Sequence, residues 1–358
     1  MTLLYITNGI TGSGGLERIL SVKASLLVEN YGYDVHFISL NEAGLEPFFS
    51  FSNKIWKHEV TAGGNPFQYL RQYKKGVQKV VHEVQPDLIC VCDDALKGFF
   101  LPQIIKTKAK WIYESHASLF LVDQGGGISF TKKIQHDLKQ VLGKRFAKVI
   151  LLTEGNRKEW QLENLVVIPN PAPFETQQYS ALNQKKIIAV GSYSFNKGYD
   201  LLLQIWETLE ARFPQWELNI YGTQTRQKLQ LTAEYLHLNN IHFHDPVTDI
   251  DLQYLDSSIM VLPSRSEGFG MVLIEAMSFG LPVISFDCPN GPKDIVSHNE
   301  DGFLIENGNI EEFSEKLKLL MEDENLRHEM GKKASINALR FSAAKVVKKW
   351  NDLFRSLR

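Results

Sequence analysis

The sequence predicts an α/β protein of two similar domains, each built around a parallel β-sheet. Short apolar runs of β-forming residues alternate with longer segments of helical period, which is typical of βαβ units. Runs such as Ile187–Val190 are apolar throughout, as strands buried on both faces are. The alternation restarts after the proline-rich stretch Ile168–Pro173, which indicates a linker. We therefore expect two Rossmann-like domains.

The predicted strands follow from these apolar runs. In the first half we expect Leu3–Thr7, Asp34–Leu40, Asp87–Cys92, Lys110–Glu114 and Lys148–Leu152, and in the second Lys186–Val190, Glu217–Tyr221, Ile241–His244, Ser258–Leu262 and Pro282–Ser285. The N-terminal domain should span residues 1–170 and the C-terminal domain residues 171–342. Because ligands bind beyond the carboxyl ends of strands in open α/β sheets, the two sheets should face an interdomain cleft that holds the site.

The last segment, residues 343–358, has apolar residues at helical spacing from Ala343 to Leu357. This pattern predicts an amphipathic helix that needs a docking surface. Periodicity alone does not decide which domain provides it.

Composition excludes several functional classes. With 358 residues, 44% of them hydrophobic, the chain has enough material for two cores, and its net charge of -2 argues against nucleic-acid binding. Three cysteines without a disulfide framework fit a reducing cytoplasm, and no apolar run reaches the ~18 residues of a membrane span. Basic clusters such as Lys74-Lys75 are interpreted first as solvated helix faces. The alternative is contact with an anionic membrane surface or a phosphate-bearing acceptor.

The most informative segment runs from Ser264 to Gly280 and carries two glutamates. Glu267 lies in a Gly-rich turn, and Glu275 is the lone charge in the apolar run that follows. A helix that is apolar nearly all round should be buried, and a carboxylate on it needs a partner. The turn leaves free N–H groups at a helix N-terminus, which suits an anion. The segment therefore predicts a pocket for an anionic, polyhydroxylated ligand such as a nucleotide sugar.

Other candidate residues lie at predicted strand ends. Gly14 and Gly15 stand in the first βα turn, which lacks the third glycine of the dinucleotide fingerprint and a Walker lysine. Lys197 precedes a helix in the equivalent turn of the second domain, where a cation is unfavourable unless an anion binds there. His116 ends a strand that should point at the cleft, so a structural and a functional role remain about equally open.

We expect no metal site. His242 and His244 share a strand face but lack a third ligand, and Asp249 with Asp251 fits a helix cap. Two carboxylates also suggest a glycosidase, but Glu275 within a helix that begins at an anion site suits ribose binding better than cleavage of a glycosidic bond.

Nearly end to end, the sequence resembles the retaining glycosyltransferases of family 4, which have the GT-B fold of two Rossmann-like domains. The segments that carry the resemblance are Gly14–Arg18, Ile168–Pro171, Lys197-Gly198, Ser266–Gly270 with Glu275, and Gly280–Val283. The E-x7-E element formed by Glu267 and Glu275 is its most specific part. The resemblance also implies that the C-terminal helix crosses back onto the first domain.

Residue roles follow from the resemblance. Glu275 would bind the nucleotide ribose, and Glu267 the donor sugar. Further expected donor-binding positions are Gly14, Gly15, Ser192, Arg265, Gly268, Phe269, Gly270, Met271 and Val272. The amides near Met271 and Val272, together with Lys197, would stabilise the diphosphate, and His116 would lie beside the sugar. We place Glu267, His116 and Lys197 in the catalytic group.

The implied activity is α-retaining transfer, without metal or other cofactor, of a hexose or N-acetylhexosamine. The donor would be a UDP-sugar of the galactose, N-acetylgalactosamine or glucose type, and the acceptor a cell-surface glycan or lipid-linked glycan. The protein would be cytoplasmic and act at the inner membrane face. Ser192 replaces an arginine common in the family, for which Arg265 or Arg18 is a candidate substitute. This departure keeps open a weakly active or inactive sugar-nucleotide-binding subunit, and a UDP-sugar epimerase on the same fold is the other alternative.

Overall fold

The structure is a computed structural model that describes residues 1–116, 130–174 and 176–358. The described chain forms two compact units. Residues 1–116, 130–173 and 343–358 form the first, and residues 174 and 176–342 form the second. Each unit is a parallel sheet with helices on its faces, so the predicted fold class of two Rossmann-like halves is confirmed.

The first unit begins at the N-terminus and alternates strands with helices. Its elements are β1 (Thr2–Thr7), α1 (Gly15–Tyr31), β2 (Asp34–Leu40), β3 (Trp56–Val60), α2 (Pro66–Val84), β4 (Leu88–Cys92), α3 (Leu96–Ile104), β5 (Lys110–Glu114), α4 (Phe130–Gly143), β6 (Lys148–Leu151) and β7 (Leu165–Val167). The sheet order is β3-β2-β1-β4-β5-β6-β7, and every pairing is parallel. The order reverses between β1 and β4, the topological switch point at which open α/β sheets bind ligands.

The second unit repeats the pattern. Its elements are β8 (Lys186–Val190), α5 (Tyr199–Glu207), β9 (Glu217–Tyr221), α6 (Gln227–Tyr235), β10 (Ile241–His244), α7 (Ile250–Leu255), β11 (Ile259–Leu262), α8 (Met271–Ser278), β12 (Val283–Asp287), α9 (Pro292–Ile295), β13 (Gly302–Glu306), α10 (Ile310–Glu322) and α11 (Glu324–Ala338). The parallel sheet has the order β10-β9-β8-β11-β12-β13, so its switch point lies between β8 and β11.

The C-terminal helix α12 (Ala343–Ser356) belongs to the first unit and packs on α1. Val346, Trp350 and Phe354 are buried on its apolar face. The Tyr33 hydroxyl donates a hydrogen bond to the Asn351 side chain at 2.9 Å, which fixes the helix in register. Tertiary contacts therefore decide the docking surface that periodicity left open.

The predicted strands are all present, with ends that differ by at most two residues, but three observed strands were not predicted. They are β3, β7 and β13, and each lies at an edge of its sheet. An edge strand has one neighbour and often one wet face, so its sequence is less apolar than that of a central strand. Among the described residues, we find no helix that combines the length and the apolar character needed to cross a bilayer.

Candidate functional site

The Gly-rich turn of the second unit connects the carboxyl end of β11 to α8. Gly270 caps α8 with φ +95°, a left-handed conformation that glycine adopts without steric cost. Its carbonyl accepts a hydrogen bond from the Leu273 N–H at 3.0 Å. The amides of Met271 and Val272 open the helix, where N–H groups have no acceptor inside the helix. The turn thus presents the positive end of a helix dipole beside a buried strand end.

Glu267 lies in this turn at the centre of a polar cluster. Its Oε1 accepts hydrogen bonds from the Lys197 ammonium and the Ser264 hydroxyl, each at 2.6 Å. The Glu267 side chain is 8% exposed and that of Lys197 is 20% exposed. The pair is therefore buried on its carboxylate side and accessible from solvent on its ammonium side.

Close backbone packing places Lys197 in this cluster although it stands 70 residues before Glu267. Gly198 has φ +66°, and a Cβ there would lie 2.0 Å from the carbonyl oxygen of Pro263. Only glycine allows this approach, which sets the first loop of the unit against the end of β11. The sequence predicted Lys197 and Glu267 separately, and the structure brings them together.

Glu275 is buried on α8, with 4% of its surface exposed. The hydroxyl of Tyr254, on α7, donates a hydrogen bond to Glu275 Oε2 at 3.0 Å. This hydrogen bond satisfies part of the hydrogen-bonding capacity of the carboxylate. Sequence reasoning did not name Tyr254, because nothing in the spacing links α7 to α8.

Ser192 stands where the family resemblance implies a second cation beside Lys197. Its hydroxyl donates a hydrogen bond to Ser194 Oγ at 3.0 Å. Arg265, one candidate substitute, forms a bidentate ion pair with Asp200 at 2.7 and 2.6 Å. Its guanidinium also stacks 4.1 Å from the centroid of the Phe195 ring. Arg265 is therefore already paired in this structure.

The remaining turn residues are held by a neighbouring loop. Phe269 is buried and packs edge-on against Phe341, with ring centroids 5.9 Å apart, while Gly268 is partly exposed. A Cβ on Gly291, which has φ +103°, would lie 1.9 Å from the carbonyl oxygen of Phe269. The loop after β12 thus supports the turn through a contact that only glycine permits.

In the first unit, His116 stands two residues after β5 and is coupled to Glu114. The distance from His116 Nε2 to Glu114 Oε2 is 3.3 Å, and Lys23 Nζ on α1 lies 2.5 Å from the same oxygen. Burial raises the pKa of Glu114, but Lys23 and His116 outweigh it, so the pKa lies below its ordinary value. The sequence pointed to His116 and missed Lys23, although a lone lysine among the apolar positions of α1 gives the same signal as Glu275 on α8.

Ligand atoms of Cys92, Glu114 and His116 lie within 4.8 Å of one another. This spacing is short enough for a metal ion, but the Lys23 ammonium is already bound to the carboxylate and would repel a cation. Burial also raises the pKa of Cys92 well above its ordinary value, which favours the neutral thiol. Charge and protonation therefore disfavour a metal at this trio.

The first βα loop of the first unit is partly occupied by a carboxylate. Glu42 accepts hydrogen bonds from the amides of Ile10 and Thr11 at 2.8 and 3.2 Å. Gly14 caps α1 and Gly15 begins it, and a Cβ on Gly15 would meet nothing within 4 Å. Sequence reasoning assigned these amides to a ligand phosphate or a closely approaching acceptor and did not identify Glu42, which lies in a different βα unit.

Comparison with known proteins assigns the family. Residues 173–336 match the family described as glycosyl transferases group 1. An uncharacterized glycosyltransferase of Haemophilus influenzae is 32% identical over 364 positions, which cover 98% of this chain and 98% of the relative. This chain belongs to the glycosyltransferases. The family assignment and the fold together make it a glycosyltransferase with the GT-B architecture.

Two further comparisons describe the relatives of this glycosyltransferase. The amylovoran biosynthesis glycosyltransferase AmsD of Erwinia amylovora is 28% identical and covers 98% of this chain and 99% of its own. The crystal structure of a TarM variant from S. aureus, in complex with fondaparinux, alpha-GlcNAc-glycerol and UDP, has a TM-score of 0.81 at 15% identity and covers 99% of each chain. At that identity the likeness concerns the fold alone.

Proposed function

We propose that this glycosyltransferase is a retaining, metal-independent enzyme of family 4 that transfers a hexose or N-acetylhexosamine from a UDP-sugar. The observation that carries the proposal is the cluster of Lys197, Glu267 and Ser264 immediately before the N-terminus of α8. It combines a partly exposed ammonium, a helix dipole and a buried carboxylate. The ammonium and the helix dipole match a diphosphate, and the carboxylate matches sugar hydroxyls.

The donor-binding roles divide between the two glutamates. Glu275 accepts hydrogen bonds from the ribose hydroxyls, and Glu267 does so from the donor sugar. The amides of Met271 and Val272, together with Lys197, stabilise the charge that develops on the departing diphosphate. Glu267 is held by an ammonium and a hydroxyl, which suits a fixed hydrogen-bond acceptor better than a nucleophile.

Metal independence rests on the charges that the chain itself supplies. Lys197 and the α8 amides are preorganised, so they stabilise the leaving group without coordinating an ion. Retention is proposed to proceed by attack from the face that the leaving group departs from, with the leaving phosphate helping to deprotonate the acceptor. No further cofactor is required by this mechanism.

The donor and acceptor classes draw on the relatives. TarM was solved with UDP and alpha-GlcNAc-glycerol, and AmsD is named for amylovoran biosynthesis. We propose a UDP-sugar of the galactose, N-acetylgalactosamine or glucose type as donor and a growing cell-surface or lipid-linked glycan as acceptor.

The surface of α2 supports action at the cytoplasmic face of a membrane. Phe67 and Leu70 are 77% and 50% exposed near its N-terminus. The exposed basic residues Arg71, Lys74 and Lys75 follow, and the first acidic residue of the helix stands near its end. Exposed apolar side chains beside a basic cluster match an anionic bilayer surface.

A second candidate function follows from Ser192. A diphosphate site with one cation binds and stabilises its leaving group less strongly than a site with two. The chain would then be a sugar-nucleotide-binding subunit of low or no turnover. An epimerase on the same fold differs from both, because it would interconvert UDP-sugars without releasing UDP.

The test is UDP release from a panel of UDP-sugars by the wild-type protein and by Glu275→Ala. We expect slow release without acceptor, and a loss of UDP affinity of about tenfold to hundredfold in the variant, because hydrogen bonds to a carboxylate are lost. The exposed Glu315→Ala on α10 is the matched control and should leave both unchanged.

A thermal-shift panel of UDP, GDP and ADP checks the nucleotide independently, since a ligand that binds only the folded state raises the unfolding midpoint. A shift with GDP or ADP and none with UDP would contradict the donor assignment. UDP binding without turnover against any acceptor would favour the binding subunit.

A further inference from the structure

Three ionisable side chains form a buried chain at the end of the first unit's sheet. Lys23 on α1, Glu114 at the end of β5 and His116 just beyond it are linked through Glu114 Oε2, at 2.5 Å and 3.3 Å. The side chains of Lys23 and Glu114 are 1% and 2% exposed, and that of His116 is 9% exposed. A buried charge pair of this kind is costly unless its geometry is well satisfied, so its presence beside a histidine calls for a physical reason.

The contact with Glu114 defines which ring nitrogen of His116 carries a hydrogen. An ionised carboxylate only accepts hydrogen bonds, and it faces Nε2. Nε2 must therefore be the donor. In the neutral ring, Nδ1 then carries the lone pair, and this nitrogen has no hydrogen-bond partner within the described part of the chain. A buried acceptor without a partner is costly and points to a ligand that donates to it.

The Lys23 ammonium favours the ionised carboxylate of Glu114, which only accepts hydrogen bonds. The ammonium also lies 4.9 Å from the Tyr5 ring centroid and 4.1 Å from that of Trp350 on α12, so aromatic faces stabilise the charge from two elements. The other titratable groups packed around the carboxylate, Tyr5, Cys90 and Cys92, have pKa values raised well above normal by burial and remain neutral. Lys23 and Glu114 thus balance one another in charge beside the His116 ring.

We propose that Glu114 and Lys23 are positioning residues that hold His116 in the Nε2–H form, so that Nδ1 accepts a hydrogen bond from a hydroxyl of the transferred sugar. The proposal rests on the proposed function. His116 follows the carboxyl end of β5, the edge at which open α/β sheets bind ligands. An imidazolium would offer two donors and no acceptor, so the tautomer determines what the ring can bind.

The test replaces the buried pair by apolar residues of similar volume, in the double variant Lys23→Met with Glu114→Leu. Replacing both partners of a buried pair is often neutral for folding, whereas removing one is not. The matched control is Lys54→Met with Glu29→Leu, which removes an exposed pair of 2.7 Å in the same unit, also anchored on α1.

The first measurement is the ¹⁵N spectrum of histidine-labelled wild-type protein, with the His116 signals assigned by comparison with His116→Gln. We expect a pyridine-type Nδ1 and a pyrrole-type Nε2 in the wild type and in the control. In the buried double variant the two tautomers should mix. A wild-type protein with a protonated Nδ1 would overturn the proposal, whether or not the variant folds.

The second measurement is steady-state transfer. We expect kcat of the buried double variant to fall about tenfold to hundredfold with a small change in donor KM, since orientation of the ring acts mainly in the transition state. Unchanged kcat in a folded double variant would overturn the proposal and leave the proposed function standing. A wild-type protein that releases no UDP from any UDP-sugar refutes the proposed function, and the tautomer measurement still decides the assignment of Glu114.

Discussion

The two units each bury a charged side chain on a helix, but the described contacts of the two charges differ. Lys23 on α1 meets the opposite charge of Glu114 and is 1% exposed. Glu275 on α8 is also buried, and its described contacts include a hydrogen bond from the neutral hydroxyl of Tyr254. The first charge meets an opposite charge from β5, whereas the second accepts from a hydroxyl, the kind of donor that a sugar also offers.

The same contrast holds for the glycine-rich loops. In the first unit, Glu42 occupies the amides of Ile10 and Thr11. In the second unit, within the described residues, no carboxylate accepts from the amides of Met271 or Val272 at the N-terminus of α8. An anion would therefore meet free N–H groups in the second unit and a competing carboxylate in the first. The difference supports the proposal that phosphate recognition belongs to the second unit.

The largest expected effect concerns the buried ion pair of the first unit. Lys23→Met leaves the buried Glu114 carboxyl without its ammonium, so that it must either stay charged and unpaired or take up a proton, and should lower the free energy of unfolding by about 3–5 kcal/mol. The exposed control Lys54→Met should change it by less than about 0.5 kcal/mol. Chemical denaturation followed by tryptophan fluorescence measures both, and a Lys23→Met protein as stable as the wild type would contradict the comparison.

The pH dependence of the free energy of unfolding tests the same ion pair. The pKa of Glu114 lies below its ordinary value of 4.5, so its contribution to stability is present above that value and is lost as the pH falls through the lowered one. The double variant Lys23→Met with Glu114→Leu lacks this contribution. Its free energy of unfolding should therefore fall less than that of the wild type between about pH 5 and about pH 3.

The next effect concerns the partly exposed ion pair of Lys197 and Glu267 in the second unit. Glu267→Gln keeps the volume of the side chain but removes the charge that holds Lys197 and that, in the proposed function, accepts sugar hydroxyls. We expect kcat/KM to fall about 10²- to 10³-fold, as when one preorganised group of a charge-stabilising site is lost. Glu207→Gln on the exposed face of α5 is the control. If the two variants are equally active, Glu267 does not contribute to the reaction.

The smallest effect tests the missing cation. Ser192 is partly exposed, so Ser192→Arg can place a guanidinium near Lys197 without entering the core. We expect the donor KM to fall about tenfold, because a charge-assisted hydrogen bond contributes about 1.5–3 kcal/mol. Ser192→Gln adds similar length without charge and should have no such effect. A gain in both variants would show that charge is not the cause.

Sequence reasoning identified the central strands because burial on both faces requires continuous apolar runs, as in Ile187–Val190. It did not identify β3, where exposed polar side chains dominate, or β7, which is three residues long. It identified Glu267, Glu275 and His116 because a polar residue at a strand end or in an apolar helix is unusual. It missed Glu42 and Lys23, whose partners lie 31 and 91 residues away in other elements.

The sequence by itself determined which segments form strands and helices and which charges stand in apolar surroundings, because both depend on local patterns. The tertiary structure decided which residues these charges contact and where the last helix packs. The sheet order brings Lys197 to Glu267, Lys23 to Glu114 and α12 onto α1. Which atoms meet each buried charge depends on segments that are distant in the sequence, so long-range packing, and not a local pattern, decides it.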